Sequence, residues 1–468
     1  FVRLDVPSRE RLEAYWKGKS SRDELLNTAK ELRLRHWKMQ KDAGLAHIPS
    51  NDFSLYDHVL DTACLLGCVP ERYGSKGDLD TYFAMARGDA KNPAMEMTKW
   101  FDTNYHYIVP ELEKGQKFKL SGTKIFDEYE EAKKAGVVTR PALLGPVSFL
   151  MLGKQRAGAG FDRCSLVENL AAVYGEILKK LEDMGVEWVQ IDEPCLSLGL
   201  ERRYRDAYIT AYRIIRQSAP NIKIMLATYF GHLGDNMDLA FILPVQAAHL
   251  DLCRDPEQIR DAVSFVPEGM MLSLGLVDGR NIWRNDLHKS LEFVEFVESH
   301  IGKDNIMVAP SCSLLHTPID LDKEDTLDSR VSDWMAFAKQ KLREIAVIAK
   351  EANEGYDAVA KEMEESDAVV ADRKTSTYIL NPAVRKRAAA VTPDMINRKN
   401  HFSVRRKAQH DKLKLPAYPT TTIGSFPQTP EIRKARADYK KGTIKKDEYE
   451  AAMKKEIAHV VKFQENID

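Results

Sequence analysis

Between about residues 140 and 320, short apolar runs alternate with longer amphipathic stretches. Strands that alternate with helices in this way form parallel sheets with helices packed on their faces. With two further runs upstream, the expected strands reach the number found in a closed barrel. The sequence therefore predicts an α/β fold, a (β/α)8 TIM-type barrel. The expected strands are 1–4, 46–51, 141–149, 186–192, 222–229, 247–252, 271–277 and 305–310.

Several of these runs end in polar residues, and barrel enzymes place their active sites at the carboxyl ends of the strands. Asp192 and Glu193 end one run. Neighbouring residues of a strand face opposite ways, so at most one of the two carboxylates points into the barrel. This spacing argues against a paired acid and base. It favours a carboxylate that fixes a ligand amine or a neighbouring loop, with a purely structural hydrogen-bonding role as the alternative.

Metal-ligating residue types occur at two other strand ends. His249, Asp251 and Cys253 alternate along one run, and Cys312 and His316 follow another. Because no compact cysteine or histidine pair shows a typical zinc spacing, we interpret these residues as structural, with metal ligation as the alternative. The sequence contains neither a Walker loop nor a dinucleotide fingerprint, so no nucleotide cofactor is expected.

The overall charge gives no reason to expect nucleic acid or a membrane as a partner. Among 468 residues, 69 are basic and 70 are acidic, for a net charge of −1. The six cysteines are too few and too scattered for a disulfide framework, which is typical of a reducing compartment. No run approaches the roughly 18 apolar residues that span a bilayer. We therefore expect a cytoplasmic protein.

Beyond the expected barrel, the helical spacing of apolar residues over 321–365 predicts one long charged helix. Residues 366–415 are rich in lysine and arginine, and we interpret them as a solvated helical linker, with a polyanion-binding patch as the alternative. An apolar-to-turn passage follows. The expected domains are a barrel over 1–320, a helical basic linker over 321–415, and the first strand and helix of a second, truncated barrel over 416–468.

Two segments have the residue types of ligand sites. Lys99 stands beside Trp100 and Phe101, and a point charge next to aromatic rings suits an aromatic acid with carboxylates. A lysine that snorkels from an aromatic surface cluster would look the same. Gly424 and Ser425 end an apolar passage, and their backbone N–H groups and hydroxyl suit a small anionic or zwitterionic ligand. An ordinary strand end is the alternative there.

Eight motifs, in order along nearly the whole chain, resemble the cobalamin-independent methionine synthase family. They include MTKWFDTNYHY at 97–107, QIDEP at 190–194 and TTTIGSFPQT at 420–429. The others lie at 13–16, 50–53, 145–148, 277–283 and 314–318. The resemblance implies two face-to-face (β/α)8 barrels that transfer a methyl group from 5-methyltetrahydropteroyltri-L-glutamate to L-homocysteine, giving L-methionine. It implies a monomer without cobalamin, in which zinc in the second barrel activates the homocysteine thiol.

The resemblance also assigns site residues. Those that match contacts to the glutamate tail of the folate are Lys99, Arg9 and Arg11. Those that match contacts to homocysteine or methionine are Ile423, Gly424 and Ser425. The family's zinc ligands have no counterparts here, so we expect neither a catalytic residue nor a metal ligand in this chain. The expected protein is an N-terminal portion that is inactive alone; the alternatives are a non-catalytic folate-binding or scaffold barrel and a related methyltransferase with another methyl donor.

Overall fold

The computed structural model describes residues 6–74, 78–156, 160–422 and 424–467, with side chains from Glu10 onward. Its strands belong to one large sheet and two small pairs. In chain order they are β1 Ile48–Ser50, β2 Met97–Lys99, β3 His106–Ile108, β4 Glu111–Leu112, β5 Thr139–Leu144, β6 Lys154–Gln155, β7 Trp188–Asp192, β8 Lys223–Ala227, β9 Ala247–Asp251, β10 Met271–Val277 and β11 Ile306–Pro310.

The large sheet has seven parallel strands in the order β1, β5, β7, β8, β9, β10, β11. Helices separate each pair of neighbours, and every residue of β9 is buried, as expected for a parallel sheet that is covered on both faces. The predicted α/β class is confirmed. The seven strands follow the predicted barrel from its second strand to its last, while the predicted first strand, 1–4, lies outside the described residues.

Helices cover this sheet because their apolar faces need a partner. For example, Tyr174, Tyr208 and Tyr212 are fully buried where two of the helices pack together. The helices before residue 380 are α1 Val6–Trp16, α2 Arg22–Asp42, α3 His58–Leu65, α4 Leu79–Arg87, α5 Lys124–Lys134, α6 Pro146–Leu152, α7 Val167–Asp183, α8 Arg202–Ser218, α9 Met237–Ile242, α10 Gln258–Ala262, α11 Leu287–Ile301, α12 Ser329–Asp333, α13 Ala338–Glu354 and α14 Ala360–Thr375.

The single long helix predicted over 321–365 is wrong. The segment contains α12, α13 and the start of α14, and the chain leaves helical geometry between Asp333 and Ala338. There the backbone turns to hydrogen-bond with the loop after β10: the N–H of Arg284 donates to Trp334, and that of Ala336 donates to Ile282. Trp334 is 2% exposed, so burial of this ring and the loop contacts override the helical pattern. The strand predicted over 141–149 likewise ends at Leu144, where α6 soon begins.

The chain divides into two compact units, 1–379 and 380–468. The described part of the second unit is helical, with α15 Pro382–Ala389, α16 Pro393–Ile396, α17 Phe402–Leu413, α18 Pro430–Lys440 and α19 Lys446–Ile467. The helix predicted after the 420–429 motif is therefore present as α18. The strand predicted before it is not formed on either side of residue 423, because a strand needs a neighbour to pair with. Among the described helices, none combines the length and apolarity needed to cross a membrane.

Candidate functional site

Lys99 lies at the end of β2 in an antiparallel hairpin with β3. The next residue, Trp100, is 2% exposed, and its backbone N–H donates to the carbonyl of Tyr105 at 2.8 Å. The indole packs edge-on against the rings of Tyr107 and Phe101. The hairpin thus buries one side chain as an anchor and turns the preceding lysine to the surface.

The ammonium group of Lys99 is exposed, and no described side chain forms an ion pair or hydrogen bond with it. Its cross-strand neighbour is His106, whose Nδ1 lies 3.1 Å from the carbonyl oxygen of Asn104. Since a carbonyl can only accept, that nitrogen carries the proton. Lys99 therefore presents a positive charge that nothing in the described structure neutralises.

Asp102, at the tip of the hairpin, is held by two arginines from distant loops. Arg280 donates to its carboxylate at 2.8 Å and to its backbone carbonyl at 3.1 Å. Arg254 donates to the other carboxylate oxygen. Desolvation opposes ionisation here, but the hydrogen bonds from Arg280 and Arg254 prevail and lower the pKa of Asp102. The tip of the hairpin is thereby tied to the loops that follow β9 and β10.

Two aromatic residues beside this contact have left-handed backbones: Phe101, with φ of 51°, and Phe230, with φ of 71°. Such a conformation is costly for a bulky residue unless its surroundings enforce it. For Phe230, the buried carboxylate of Asp251 enforces this conformation, because it accepts the backbone N–H of Phe230 at 3.0 Å. The two phenyl rings lie 5.6 Å apart, and the guanidinium of Arg280 lies 5.0 Å from the centre of the Phe230 ring.

Asp192 points into the barrel. This agrees with the expectation that at most one of the two adjacent carboxylates does so. It accepts from Gln190 Nε2 at 2.6 Å and from the hydroxyl of Tyr229 at 3.2 Å. Burial raises its pKa to about 6, against the opposing hydrogen bonds. The arrangement keeps a titratable carboxyl inside the barrel, where it fixes the ring of Tyr229 at the end of β8.

Glu193 faces the other way and is completely buried. It accepts the backbone N–H of Ser148 at 2.8 Å and the hydroxyl of Tyr208 at 3.1 Å. Burial raises its pKa to about 7. A Cβ at Gly145 would lie 2.1 Å from the carboxyl carbon of Glu193, so only glycine fits before α6. Glu193 therefore joins α6 and α8 to the end of β7, which is the purely structural hydrogen-bonding role given as the alternative.

The strand-end residues of metal-ligating type have hydrogen-bond partners within the protein. His249 Nδ1 lies 2.9 Å from the hydroxyl of Ser273, and Asp251 accepts backbone N–H groups. The thiol of Cys253 points at backbone carbonyls. Within the described ranges, no three histidine, cysteine, aspartate or glutamate side chains come together as a possible metal site. The residues present there do not fit a zinc ion, and no step through zinc is assigned to them.

The predicted arginine contacts both lie in α1. The side chain of Arg9 lies outside the described residues, while Arg11 is half-buried and donates to Ser20 Oγ at 3.4 Å. No described hydrogen bond joins Arg11 to Lys99. Helix α1 and the hairpin nevertheless share one hydrophobic cluster, which contains Leu12 of α1 and Ile108 of β3.

The predicted homocysteine contacts lie in the second unit. Ile423 lies outside the described residues. Gly424 and Ser425 are exposed, and Gly424 has φ of 118°, a conformation that L side chains rarely adopt. The backbone thus bends at this position, and both residues are open to solvent.

Sequence reasoning missed the contact of Asp102 with Arg254 and Arg280. All three residues lie in or next to segments with recognisable motifs, but 152 and 178 positions separate the partners. A single sequence carries no signal for such a pairing. The sequence shows only that charged residues lie at these strand and hairpin ends.

Two models of known families match this chain. The model described as "Cobalamin-independent synthase, N-terminal domain" matches residues 8–302. The model described as "Cobalamin-independent synthase, Catalytic domain" matches residues 418–468.

Similar curated relatives carry the name 5-methyltetrahydropteroyltriglutamate–homocysteine methyltransferase. The protein from Caulobacter vibrioides is 49% identical, over 98% of this chain and 62% of its own length. That from Xylella fastidiosa is also 49% identical, over 97% of this chain and 61% of its own length. The chain therefore spans about three fifths of the length of the curated relatives it matches.

A solved structure of similar fold is "a B12-independent methionine synthase from Shewanella sp. W3-18-1", in complex with selenomethionine. The TM-score is 0.51 at 14% identity, and the match covers 74% of this chain and 92% of the other. At this identity the likeness concerns the fold alone, and it agrees with the α/β barrel class.

Proposed function

The chain belongs to the cobalamin-independent synthase family, and we propose that it supplies the folate-tail-binding part of a methyltransferase. In the proposed reaction, 5-methyltetrahydropteroyltri-L-glutamate gives its methyl group to L-homocysteine, and L-methionine is formed. The names of the curated relatives support these two substrates. The family match supports a reaction without cobalamin.

One observation carries the proposal: Lys99 is an exposed cation with no described partner, next to a buried anchor. A γ-linked triglutamate tail carries several carboxylates, and an ammonium group binds such charges as a point donor. Because Trp100 is buried, the lysine loses little backbone freedom when a ligand binds, which lowers the entropic cost of association. We assign Lys99 the principal contact with the tail.

Arg9 and Arg11 are proposed as secondary contacts. Support comes from α1, since its Leu12 packs in the same cluster as Ile108 of the Lys99 hairpin. Arg11 donates to Ser20 through one nitrogen only, and a guanidinium has five N–H donors. It therefore retains donors for a second carboxylate.

The contact with Lys99 is tested by Lys99→Ala, with Lys114→Ala as a control. Both lysines are exposed and lack described partners, but Lys114 lies outside the hairpin, in the segment that follows β4. We expect Lys99→Ala to weaken binding of the triglutamate folate about tenfold, as for loss of a charge-assisted hydrogen bond, and to weaken the monoglutamate much less. Lys114→Ala should change neither affinity. An equal loss for both folates would contradict a tail contact.

For the remainder of the reaction, we propose that the turn at Ile423, Gly424 and Ser425 contacts homocysteine in the full-length protein. Zinc, when bound there, would hold the homocysteine sulfur as a thiolate, its nucleophilic form. We further propose a first barrel over 1–320, a basic linker over 321–415 and the start of the catalytic barrel from 416. The match of the catalytic-domain model to 418–468 supports this division.

The 468-residue chain alone is proposed to be inactive, to be monomeric and to reside in the cytoplasm. All six cysteines are free thiols, which supports a reducing compartment. The activity is tested by incubating the chain with homocysteine, the triglutamate donor and zinc, and measuring methionine. Turnover above the uncatalysed rate would contradict the proposal.

A further inference from the structure

We propose that Asp102 is a positioning residue that latches the Lys99 hairpin to the barrel and so sets the affinity for the glutamate tail. This inference rests on the proposed tail contact of Lys99. Asp102 itself does not touch the ligand, because its negative charge would repel the tail carboxylates. It acts through the position of the hairpin.

The latch joins the hairpin to two separate loops of the barrel. Arg280 contacts both the carboxylate and the backbone carbonyl of Asp102, at 2.8 and 3.1 Å. Arg254 takes the second carboxylate oxygen. Three donor contacts on one residue restrict its position and its orientation, since bonds to a guanidinium are directional. Lys99 lies three positions away on the same hairpin, so the contacts of Asp102 help to set the position of the lysine.

The two arginines are themselves held in place. Asp251 is fully buried and accepts the backbone N–H of Arg254 at 3.0 Å. The guanidinium of Arg280 stacks on Phe230, whose left-handed backbone is fixed by the same Asp251. The backbone N–H of Arg280 donates to Asp278 at 2.7 Å. The side of the latch that belongs to the barrel is therefore fixed, and through Asp102 it adds to the anchoring of the hairpin by the buried Trp100.

A carboxylate between two arginines also suits a competing role. Asp102 could occupy a site that a ligand carboxylate would otherwise take, and its removal would then strengthen binding. The backbone contact of Arg280 argues for the latch, because the carbonyl of Asp102 is bonded as well as its side chain. The two roles predict opposite effects of one substitution.

The test uses Asp102→Asn in the 468-residue chain and measures the dissociation constant of a γ-linked triglutamate peptide. Asp42→Asn is the matched control: both side chains are 59% exposed and paired with a basic residue, but Asp42 belongs to α2. We expect about fivefold weaker binding for Asp102→Asn, since asparagine keeps the shape and loses the charge. Asp42→Asn should bind like the unmodified chain.

A double-mutant cycle shows whether Asp102 acts through Lys99. In a Lys99→Ala background, Asp102→Asn should cause no further loss of affinity. Unchanged or tighter binding in the single variant, or fully additive losses in the cycle, would overturn the latch. If Lys99→Ala alone leaves affinity unchanged, the proposed tail contact fails, and the latch fails with it. If Lys99→Ala weakens binding but Asp102→Asn leaves the dissociation constant unchanged, the tail contact stands and only the latch is rejected.

Discussion

The imidazole of His58 packs edge-on against the indole of Trp100, with ring centroids 4.4 Å apart. The same imidazole stacks on Tyr105 at 5.7 Å. Burial lowers the pKa of His58 to about 3, so the ring is neutral near pH 7 and packs as an aromatic group. These contacts join α3 to the hairpin that bears Lys99, and they place an exposed cation on a rigid support.

Replacing Trp100 with alanine should cost about 3–5 kcal/mol in the free energy of unfolding, as for other buried indoles. The ring is 2% exposed and contacts several neighbours, whose packing would be lost. Denaturant unfolding of the variant measures the change. Phe265→Ala serves as a control, because that ring is 43% exposed and should change stability by about 0.5 kcal/mol. Equal effects of the two substitutions would contradict the anchoring role of Trp100.

The buried carboxyl of Glu193 should make the stability of the fold decrease as pH rises. Burial raises its pKa from the ordinary value of 4.5 to about 7. Between these values the folded chain holds a proton that the unfolded chain has released, so the free energy of unfolding falls as pH rises across this window. The fall attributable to this group is about 3 kcal/mol at most.

The comparison with Glu193→Gln isolates this contribution, since glutamine does not titrate. The unmodified chain should lose more stability than the variant between about pH 4.5 and 7, as measured by chemical denaturation at several pH values. Other buried carboxyls such as Asp192 titrate in both proteins and cancel in the difference. Parallel pH profiles of the two proteins would show that Glu193 is not the titrating group.

Gly145 and Gly199 form a matched pair for testing the packing around Glu193. A Cβ at Gly145 would overlap the carboxyl of Glu193, whereas nothing lies within 4 Å of a Cβ at Gly199. We expect Gly145→Ala to destabilise the fold by about 1–3 kcal/mol or more through overpacking. Gly199→Ala should be neutral or stabilise by about 0.4–1 kcal/mol, because it restricts the unfolded chain. Thermal unfolding measures both, and a silent Gly145→Ala would contradict the close contact.

Local patterns predicted much of the fold. The runs at 247–252 and 271–277 became β9 and β10 with nearly the predicted bounds, because a buried parallel strand is marked by continuous apolar residues. The opposite orientation of Asp192 and Glu193 also followed from the strand period. The prediction of one helix over 321–365 was wrong, because the carbonyl of Trp334 accepts a hydrogen bond from a loop fifty residues upstream. Helical periodicity carries no information about such a partner.

The candidate site was predictable in part. Lys99 drew attention through its aromatic neighbours, and one of these, Trp100, is a buried anchor, while the lysine itself is exposed and has no partner among the described residues. The arginines that hold Asp102 were not predictable, because the pairing depends on how the loops after β9 and β10 meet the hairpin. Residues distant in sequence become neighbours only through the complete barrel topology.

The central claim is that Lys99 receives the glutamate tail, and amine labelling of the 468-residue chain tests it most directly. Exposed lysines react readily with an acylating reagent, and neither Lys99 nor Lys114 has a partner among the described residues, so both should be labelled in the free chain. With saturating γ-linked triglutamate, we predict that labelling of Lys99 falls severalfold while that of Lys114 is unchanged, as read by mass spectrometry. Undiminished labelling of Lys99 in the presence of bound triglutamate would contradict the account.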